Sequence, residues 1–178
     1  DATTSFSEFQ LTNDLVVTDS VLLGNNRLVL LVQKNNPKQI DGNIKSPIDN
    51  NISIAIANPE TGSLGRETNK MLNKQKRFSS VSKNIVSLTV DSKGLDNLVK
   101  TGEADCAITW ITTTKEIDLS KLEILELEPS YESPIYLGLM SCSTNQTIAK
   151  YFMDFVTSAE QTTILQQYGV SKRRVQVF

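Results

Sequence analysis

The sequence predicts an α/β protein with a largely parallel sheet. Short apolar runs of strand length alternate along the chain with amphipathic segments of helical period. The chain shows no internal repeat and no low-complexity tract. Its 178 residues, of which 39% are hydrophobic, can bury a core without disulfides or metals. This length fits one large domain or two lobes of roughly 100 residues each.

Six segments have the apolar character and the length of strands. They are residues 27–33, 52–57, 85–90, 105–110, 123–127 and 135–142. The fifth is expected to be more exposed, because Leu125 and Leu127 alternate with glutamates. Asparagines at 25–26 and 35–36 predict loops on both sides of the first strand, and the polar residues 37–51 predict a surface connection.

Helices are predicted after the second and third strands. Residues 64–74 carry apolar side chains at helical spacing and follow a loop rich in turn-forming residues. Asp91 and Ser92 can cap a helix at residues 93–100, and Gly102 is well placed to end it. Strand–helix–strand units of this kind place their strands in parallel.

The C-terminal third is predicted to be helical. Ser143 with Gln146, and Ser158 with Gln161, resemble capping boxes that open two helices. Apolar residues follow at spacings of three and four, and the second helix stops at Gly169. In open α/β sheets, ligands bind outside the carboxyl ends of the strands, next to helix N-termini.

Composition excludes several classes of function. The chain has no His, which excludes a histidine general base, Ser-His-Asp or Cys-His catalysis and histidine-ligated zinc. A formal net charge of −2 and a pI near 5.2 argue against binding to nucleic acid. No apolar run is long enough to predict a membrane-spanning helix.

The cysteines and the start of the chain do not decide the cellular compartment. Cys106 and Cys142 lie in apolar runs, which predicts two buried thiols, while a single disulfide between them stays open. The chain begins at Asp1 rather than Met and shows no signal peptide. A mature or trimmed product is therefore expected, and earlier removal of a leader stays open.

Three predicted strand ends carry groups that suit an anion. The second strand leads into residues 58–65, where two glycines, the hydroxyls of Thr61 and Ser63, and a helix N-terminus come together. The third strand leads into a helix start at Ser92, and the fourth ends at Trp110, whose indole offers one N–H donor. Neutral donors of this kind can hold a dianion through charge-assisted hydrogen bonds.

Each of these features also has a purely structural interpretation. The glycine and serine at 62–63 can form only a turn and a cap, and Asp91 with Ser92 can form an ordinary N-cap. Trp110 can be core or hinge packing. Neither a Gly-Lys-Ser/Thr phosphate loop nor a Gly-x-Gly-x-x-Gly fingerprint is present. The glutamates at 123, 126 and 128 are interpreted as a solvated edge rather than a metal site.

Four segments, taken in order, carry a family resemblance. They are 27–37 (RLVLLVQKNNP), 54–65 (IAIANPETGSLG), 98–110 (LVKTGEADCAITW) and 151–169 (YFMDFVTSAEQTTILQQYG). Together they resemble the substrate-binding protein of molybdate/tungstate ABC transporters, a branch of the type-2 periplasmic-binding superfamily. The resemblance covers about residues 22–170, and its specific parts are the NPET element, TGEAD and the closing helix.

The resemblance implies a type-2 periplasmic-binding-protein-like α/β fold, in which two lobes with mainly parallel sheets are joined by crossover strands. Residues 33–134 would form the second lobe, and 1–32 with 135–178 would form the first lobe and the hinge strands. Family members carry a hydroxyl-rich segment before the point where this chain begins. We therefore expect an incomplete first lobe that lacks its N-terminal part.

The resemblance also implies a non-enzymatic, extracytoplasmic protein that captures molybdate or tungstate between its lobes. Family members use neutral hydrogen-bond donors, with no catalytic residue, no cofactor and no metal ligand. Residue by residue, the donors are the backbone N–H groups of Ser63, Leu64 and Ser92 and the side chain of Trp110. Family members usually have Tyr where Trp110 stands, so the oxyanion preferred here stays open.

The implied partners are the small oxyanion and the permease subunits of an ABC transporter, with no nucleic acid and a monomeric state. The implied location is periplasmic or extracellular, with or without a lipid anchor. The alternative function is the ligand-sensing domain of a transcription regulator, which uses the same fold. An enzyme is least favoured, because no pair of nucleophile and base is visible.

Overall fold

The structure is a computed structural model that describes residues 16–43 and 52–172. In this part of the chain the strands are β1 Val17–Gln33, β2 Ile54–Ala57, β3 Ile85–Thr89, β4 Cys106–Trp110 and β5 Leu122–Met140. The helices are α1 Ser63–Lys74, α2 Phe78–Val81, α3 Ser92–Thr101, α4 Gln146–Val156 and α5 Ala159–Gln167. Short 3-10 helices lie at Ser82–Asn84 and Ile111–Glu116.

The strands form one sheet in the order β3-β2-β4-β1-β5. β2 pairs in parallel with both β3 and β4, so the carboxyl ends of these three strands lie at the same edge. β1 runs antiparallel to β4, with Leu28 opposite Trp110 and Val32 opposite Cys106. Helix α1 follows β2 and α3 follows β3. The predicted α/β fold class is therefore confirmed.

The chain divides into two compact units. Among the described residues, one unit contains residues 16–26 and 132–172, and the other is Arg27–Tyr131. The strands β1 and β5 each pass through both units, so the chain crosses from one unit to the other within these two strands. The lobe boundaries that the resemblance implies, at residues 33 and 134, remain a prediction.

The unit Arg27–Tyr131 contains a continuous hydrophobic core. Its largest fully buried side chains include Leu28, Leu30, Leu31, Ile54, Met71, Leu72, Leu95, Ile108 and Leu122. Burying one such side chain stabilises the fold by about 1.5–3 kcal/mol. Helices α1 and α3 each bury one apolar face in this core, because their apolar residues recur at helical spacing. This packing fixes the two helix N-termini that follow β2 and β3.

The other unit joins the outer parts of β1 and β5 to the C-terminal helices. The backbone N–H of Ser141 donates to Val16 O at 2.7 Å, and Thr18 Oγ1 donates to Leu139 O at 3.2 Å. Helix α4 buries Met153, but its large apolar side chains at helical spacing are exposed. They are Ile148, Tyr151, Phe152 and Phe155. Nothing among the described residues covers this face.

The loop predicted at Asn25 and Asn26 is wrong, because β1 runs through both residues. The N–H of Asn25 donates to Ser171 O and the N–H of Ser171 donates to Asn25 O, both at 2.9 Å. Gly24 lies just before this pair at φ 149, in close contact with Val170 and Ser171. Pairing between segments so far apart in sequence leaves no local pattern, so the asparagines resembled an ordinary loop.

The fifth and sixth predicted strands are one continuous strand, β5. The predicted break at residues 128–134 contains two prolines, at 129 and 134, which cannot donate to a strand ladder. The N–H of Glu128 donates to Gly42 O at 2.8 Å, so backbone pairing continues up to the first proline. Prolines are tolerated in a strand where no N–H is needed, and β5 is the last strand in the sheet order.

The two predicted C-terminal helix starts have different outcomes. The capping box at Ser143 is wrong, because Asn145 is the N-cap of α4 and its Oδ1 accepts the N–H of Ile148 at 3.0 Å. The cap at Ser158 is confirmed, since its Oγ accepts the N–H of Gln161 at 3.5 Å. Asparagine and serine are both good N-caps, so sequence spacing alone selected the wrong one of two nearby candidates.

The cysteines lie in different environments. Cys106 is buried in β4, whereas Cys142 is exposed just after β5, and both are free thiols. The prediction of two buried thiols is therefore right for Cys106 and wrong for Cys142. Burial and, secondarily, the neighbouring carboxylate of Asp105 raise the pKa of Cys106 to about 12.

Candidate functional site

The loop between β2 and α1 is organised by Asn58. Its N–H donates to Thr89 O at 2.7 Å, which joins the carboxyl end of β2 to that of β3. Its Oδ1 accepts the N–H of Glu60 at 2.9 Å, and its carbonyl accepts both the N–H and the Oγ1 of Thr61 at 3.3 Å. The Thr61 hydroxyl, which the sequence analysis named as a possible ligand donor, therefore donates to the backbone of its own loop.

The N-terminus of α1 has no side-chain cap. Its N-cap is Gly62, in an extended conformation with φ −154. The first hydrogen bond into the helix runs from the N–H of Arg66 to Gly62 O at 3.2 Å. The N–H groups of Ser63, Leu64 and Gly65 precede that bond and have no partner inside the helix. Together with the positive end of the helix dipole, they form a set of neutral donors for an anion.

Gly65 lets this helix start lie directly against the loop. A Cβ at residue 65 would stand 2.4 Å from the carbonyl C and O of Asn58 and 2.5 Å from the N of Pro59. Any larger residue would push the first turn of α1 away from the end of β2. The side chain of Ser63 is exposed here, whereas that of Leu64 is buried. What these two predicted donors share is therefore their backbone N–H group.

The N-terminus of α3 differs because it carries its own cap. Asp91 Oδ1 accepts the N–H of Gly94 at 2.8 Å, as the sequence predicts, and Gly102 ends the helix at φ 78. Thr89 Oγ1 donates to Asp91 O at 2.9 Å and steadies the turn. The predicted donor Ser92 is half-buried in the first turn. A carboxylate thus already lies at this helix start, and its charge opposes a bound anion.

Trp110 is the last residue of β4 and is half-buried against the hydrophobic core. Its carbonyl accepts Thr113 Oγ1 at 2.8 Å, and Thr113 Oγ1 also lies 3.1 Å from Thr109 Oγ1. These contacts hold the chain as it turns into the 3-10 helix Ile111–Glu116. Trp110 therefore packs against the core, as its structural interpretation predicts, and it also lies at the carboxyl end of a strand.

The topology brings all the predicted site residues to one edge of the sheet. Ala55 pairs with Ala107 and Ala57 with Thr89, so the ends of the three parallel strands lie side by side. Ser63 and Leu64 follow β2, the middle one of the three parallel strands, while Ser92 follows β3 and Trp110 ends β4. The N-termini of α1 and α3 therefore lie at the same edge of the sheet as Trp110.

A buried carboxylate close to this edge, that of Glu67, was not predicted from the sequence. Glu67 in α1 is 8% exposed and accepts hydrogen bonds from Lys70 Nζ and Tyr131 Oη, each at 2.8 Å. A usable signal existed, because Glu67 lies three residues after Leu64 and four before Met71, on the predicted apolar face. A charged residue at such a position predicts a buried polar contact.

The electrostatics of this contact favour the ionised carboxylate. Burial raises the pKa of Glu67, but the hydrogen bonds from Lys70 and Tyr131 outweigh it, so the net pKa is lowered. Burial and the neighbouring Glu67 raise the pKa of Tyr131, which keeps the phenol protonated as the donor. Glu67 is therefore an anion bound by two donors at neutral pH.

The described part of the chain holds neither a cluster of metal ligands nor a membrane-spanning helix. Within residues 16–43 and 52–172, no group of three or more Cys, Asp or Glu side chains is placed to hold a metal ion. The glutamate-rich start of β5 instead contacts β1 and the residues just after it, since Glu126 pairs with Arg27 and Glu123 accepts the N–H of Asn35. No described helix is long and apolar enough to cross a membrane.

The sequence belongs to a family of solute-binding proteins. The family model for bacterial extracellular solute-binding proteins matches residues 4–171, and the chain belongs to this family. The family is one of binding proteins rather than enzymes, and its name places it outside the cytoplasm. A search of the curated proteins found no match to the sequence.

Solved structures share the fold at low sequence identity. A substrate-binding domain described as that of a molybdenum ABC transporter from Clostridium difficile is 23% identical with a TM-score of 0.73, over 94% of this chain and 73% of that chain. Peb3 from Campylobacter jejuni is 19% identical with a TM-score of 0.74, over 97% and 75%. The periplasmic molybdate-binding protein of Azotobacter vinelandii is 15% identical with a TM-score of 0.69, over 97% and 76%.

The similar structures differ in the ligands that their names give. They also include Peb3 bound to L-phospholactate, a periplasmic thiamin binding protein and the sulfate-binding protein SubI from Mycobacterium tuberculosis H37Rv. Identities in this range establish the periplasmic-binding-protein-like fold of this chain and leave its ligand open.

Proposed function

We propose that this protein binds a tetrahedral oxyanion, molybdate or tungstate, and delivers it to the permease of an ABC transporter. The observation that carries the proposal is the uncapped N-terminus of α1 at the shared carboxyl edge of β2, β3 and β4. The family assignment and the molybdate-binding proteins among the similar structures support it.

In the proposed complex the oxyanion accepts hydrogen bonds from backbone N–H groups. Ser63 and Leu64 donate from α1, Ser92 donates from the first turn of α3, and Trp110 donates its indole N–H. Such donors are fixed by the fold and need little reorganisation when the ligand arrives. They neutralise a dianion without a paired cation, as charge-assisted hydrogen bonds do.

Asp91 limits how the second helix contributes. Its carboxylate already binds the N–H of Gly94, so only the N–H groups of Ser92 and Lys93 are left in that turn. We propose that α1 supplies the main anchor for the oxyanion and that α3 supplies a weaker contact. This difference follows from the caps, because α1 has no side-chain cap and α3 is capped by Asp91.

Binding of sulfate, a phosphorylated acid or thiamin is the competing possibility, because the names of similar structures give those ligands. The family assignment favours a solute-binding protein over the sensor domain of a transcription regulator. Thiamin is a cation, and the uncapped N-terminus of α1 disfavours a cation at this edge. The charge of the ligand therefore separates the oxyanion hypothesis from the thiamin one.

Thermal unfolding of the full chain with separate additions of molybdate, tungstate, sulfate, phosphate, L-phospholactate and thiamin tests the proposal. A ligand at 100 times its Kd stabilises the folded state by about 2.7 kcal/mol, which raises Tm by several degrees. We expect that shift with molybdate or tungstate and a smaller one with sulfate. The proposal fails if neither molybdate nor tungstate raises Tm, or if thiamin alone does.

A further inference from the structure

Glu67 is an unusual residue to bury in the helix that starts the candidate site. Its carboxylate is held by Tyr131 Oη and Lys70 Nζ, each at 2.8 Å, and its side chain is 11% exposed. A buried charge contributes little net stability compared with an apolar residue of similar size, since desolvation opposes the attraction. Such a group instead favours one arrangement of the elements around it, because a buried charge that loses its hydrogen-bond partners destabilises the fold.

The two partners of Glu67 have different structural consequences. Lys70 lies three residues further along the same helix and is half exposed, so this ion pair cannot orient α1 against the sheet. Tyr131 lies in β5, packs on the hydrophobic core and reaches Glu67 from a strand at the far end of the sheet order from β3. The hydrogen bond from Tyr131 therefore adds a directional contact between α1 and a distant strand to the apolar packing of the helix.

Glu67 and Gly65 hold the first turns of α1 from two sides. Spacing of 3.6 residues per turn places them on opposite margins of the buried face, with Leu64 between them. Gly65 lies against the backbone at Asn58, and Glu67 is held by Tyr131. Besides the packing of α1 in the core, one steric contact and one hydrogen bond thus hold the N–H groups that begin α1.

Tyr131 also has a special place in the chain. It is the last residue of the unit Arg27–Tyr131, and the chain passes into the other unit directly after it. Arg27 is the first residue of the same unit, and its guanidinium binds Glu126 at 2.9 and 2.7 Å. Both residues at the boundaries of this unit make a polar contact, and that of Tyr131 reaches the helix that begins the candidate site.

We infer that Glu67 and Tyr131 are positioning residues that orient the N-terminal N–H groups of α1 toward the oxyanion. This inference rests on the proposed function, because it assigns a role within the same site. Glu67 does not touch the ligand in this arrangement and acts through the helix that carries it. The depressed pKa of the carboxylate agrees with this role, since it keeps the acceptor charged for Tyr131.

The sign of the effect of Glu67→Gln on affinity separates positioning from electrostatics. Gln has nearly the same shape but no charge, and removing a negative charge near an anion site should tighten binding if charge alone matters. If Glu67 positions α1, the weaker hydrogen bond from Tyr131 should instead loosen binding, roughly ten-fold. Tyr131→Phe, which keeps the charge and removes the hydroxyl, should loosen it to a similar extent.

Titration calorimetry with molybdate on the wild type, Glu67→Gln, Tyr131→Phe and the control Glu126→Gln gives this comparison. The control removes an equal charge from the exposed pair with Arg27 and should leave affinity within about two-fold of the wild type. Tighter or unchanged binding by Glu67→Gln overturns the inference. An equal loss in Glu126→Gln also overturns it, because the effect would then not be specific to α1.

A measurement without ligand separates failure of this inference from failure of the proposed function. The amide resonances of Ser63, Leu64 and Gly65 in the ligand-free protein should shift in Tyr131→Phe and stay unchanged in Glu126→Gln. Unchanged resonances in Tyr131→Phe overturn the positioning role even if the wild type binds molybdate. If the wild type binds none of the oxyanions, the proposed function fails, while the resonances still report whether Tyr131 positions α1.

Discussion

At the scale of single residues, the candidate site depends on where a cap is missing. Asp91, Asn145 and Ser158 each cap a helix with a side-chain oxygen, whereas Gly62 before α1 has no side chain to do so. Glycine is not needed there for its conformation, because φ −154 is available to any residue. Gly62 therefore leaves the N–H groups of α1 open to an external acceptor.

Gly62→Asp should abolish oxyanion binding without harming the fold. The space around the Cα of Gly62 is open, and an aspartate there would accept the N–H groups of the first turn of α1. Stability should be unchanged or higher by a few tenths of a kcal/mol, while calorimetry should show loss of molybdate binding. The matched control is Gly62→Ala, which adds no acceptor and should still bind. Retained binding in Gly62→Asp would contradict the role of α1 as the anchor.

Thr68 offers a test of stability that is separate from binding. Its hydroxyl is fully buried in α1 and has no hydrogen-bond partner among the described residues. Thr68→Val keeps the shape and removes the unpaired polar atom, which should stabilise the protein by about 1 kcal/mol in urea unfolding. Thr109→Val is the matched control, since the Thr109 hydroxyl is equally buried but lies 3.1 Å from Thr113 Oγ1. It should destabilise, and equal effects of the two variants would contradict this explanation.

At the scale of elements, the sequence predicted what depends on local pattern. The parallel strands β2, β3 and β4 and the helices α1 and α3 were predicted within two residues at each end, because runs and caps are local signals. Asn25 of β1 pairs with Ser171, and Glu128, which precedes Pro129 in β5, donates to Gly42 O. In both contacts the partner lies far away in the sequence, so no local pattern predicts that the strand continues there.

The cap of α3 gives a prediction at this scale. Asp91→Asn keeps an oxygen that can accept the N–H of Gly94, so the helix should keep its stability, since Asn and Asp cap about equally well. Removing the negative charge should strengthen molybdate binding roughly two- to five-fold at low salt, and less at high salt. Calorimetry at two salt concentrations measures both effects.

The control for this prediction is Asp91→Ala, which removes the charge and the cap together. It should cost about 1 kcal/mol of stability through the lost cap. If Asp91→Asn binds molybdate more weakly than the wild type, Asp91 contacts the ligand favourably, and the weaker role proposed for α3 is wrong.

At the scale of the whole molecule, the sequence predicted at which edge of the sheet the candidate site lies, but not the hydrogen bond that holds α1 there. Strand ends and helix starts predicted Ser63, Leu64, Ser92 and Trp110 as neighbours at one edge, and the parallel pairing places them there. The bond between Glu67 and Tyr131 joins residues 64 positions apart, so no local motif encodes it. The exposed apolar face of α4 was predicted as a periodic pattern, but no sequence pattern says what covers such a face.

The buried thiol of Cys106 reports on the stability of the unit that contains the candidate site. Cys106 is fully buried in β4, donates weakly to Ser53 O at 3.8 Å, and has a pKa raised to about 12, so it cannot react in the folded state. Cys142 is exposed and should react with a thiol reagent at once. Native-state labelling should therefore modify one thiol rapidly and the other only through unfolding.

This difference makes labelling of Cys106 a measure of ligand binding by the whole unit. In a Cys142→Ser variant, the labelling rate of Cys106 should follow the unfolded fraction, provided that refolding is faster than modification. Molybdate at 100 times its Kd should then slow labelling about 100-fold, because it binds only the folded state. A Gly62→Asp background is the control and should show no slowing. Molybdate that raises Tm but leaves the Cys106 rate unchanged would mean that Cys106 reacts through local opening, with the unit Arg27–Tyr131 still folded.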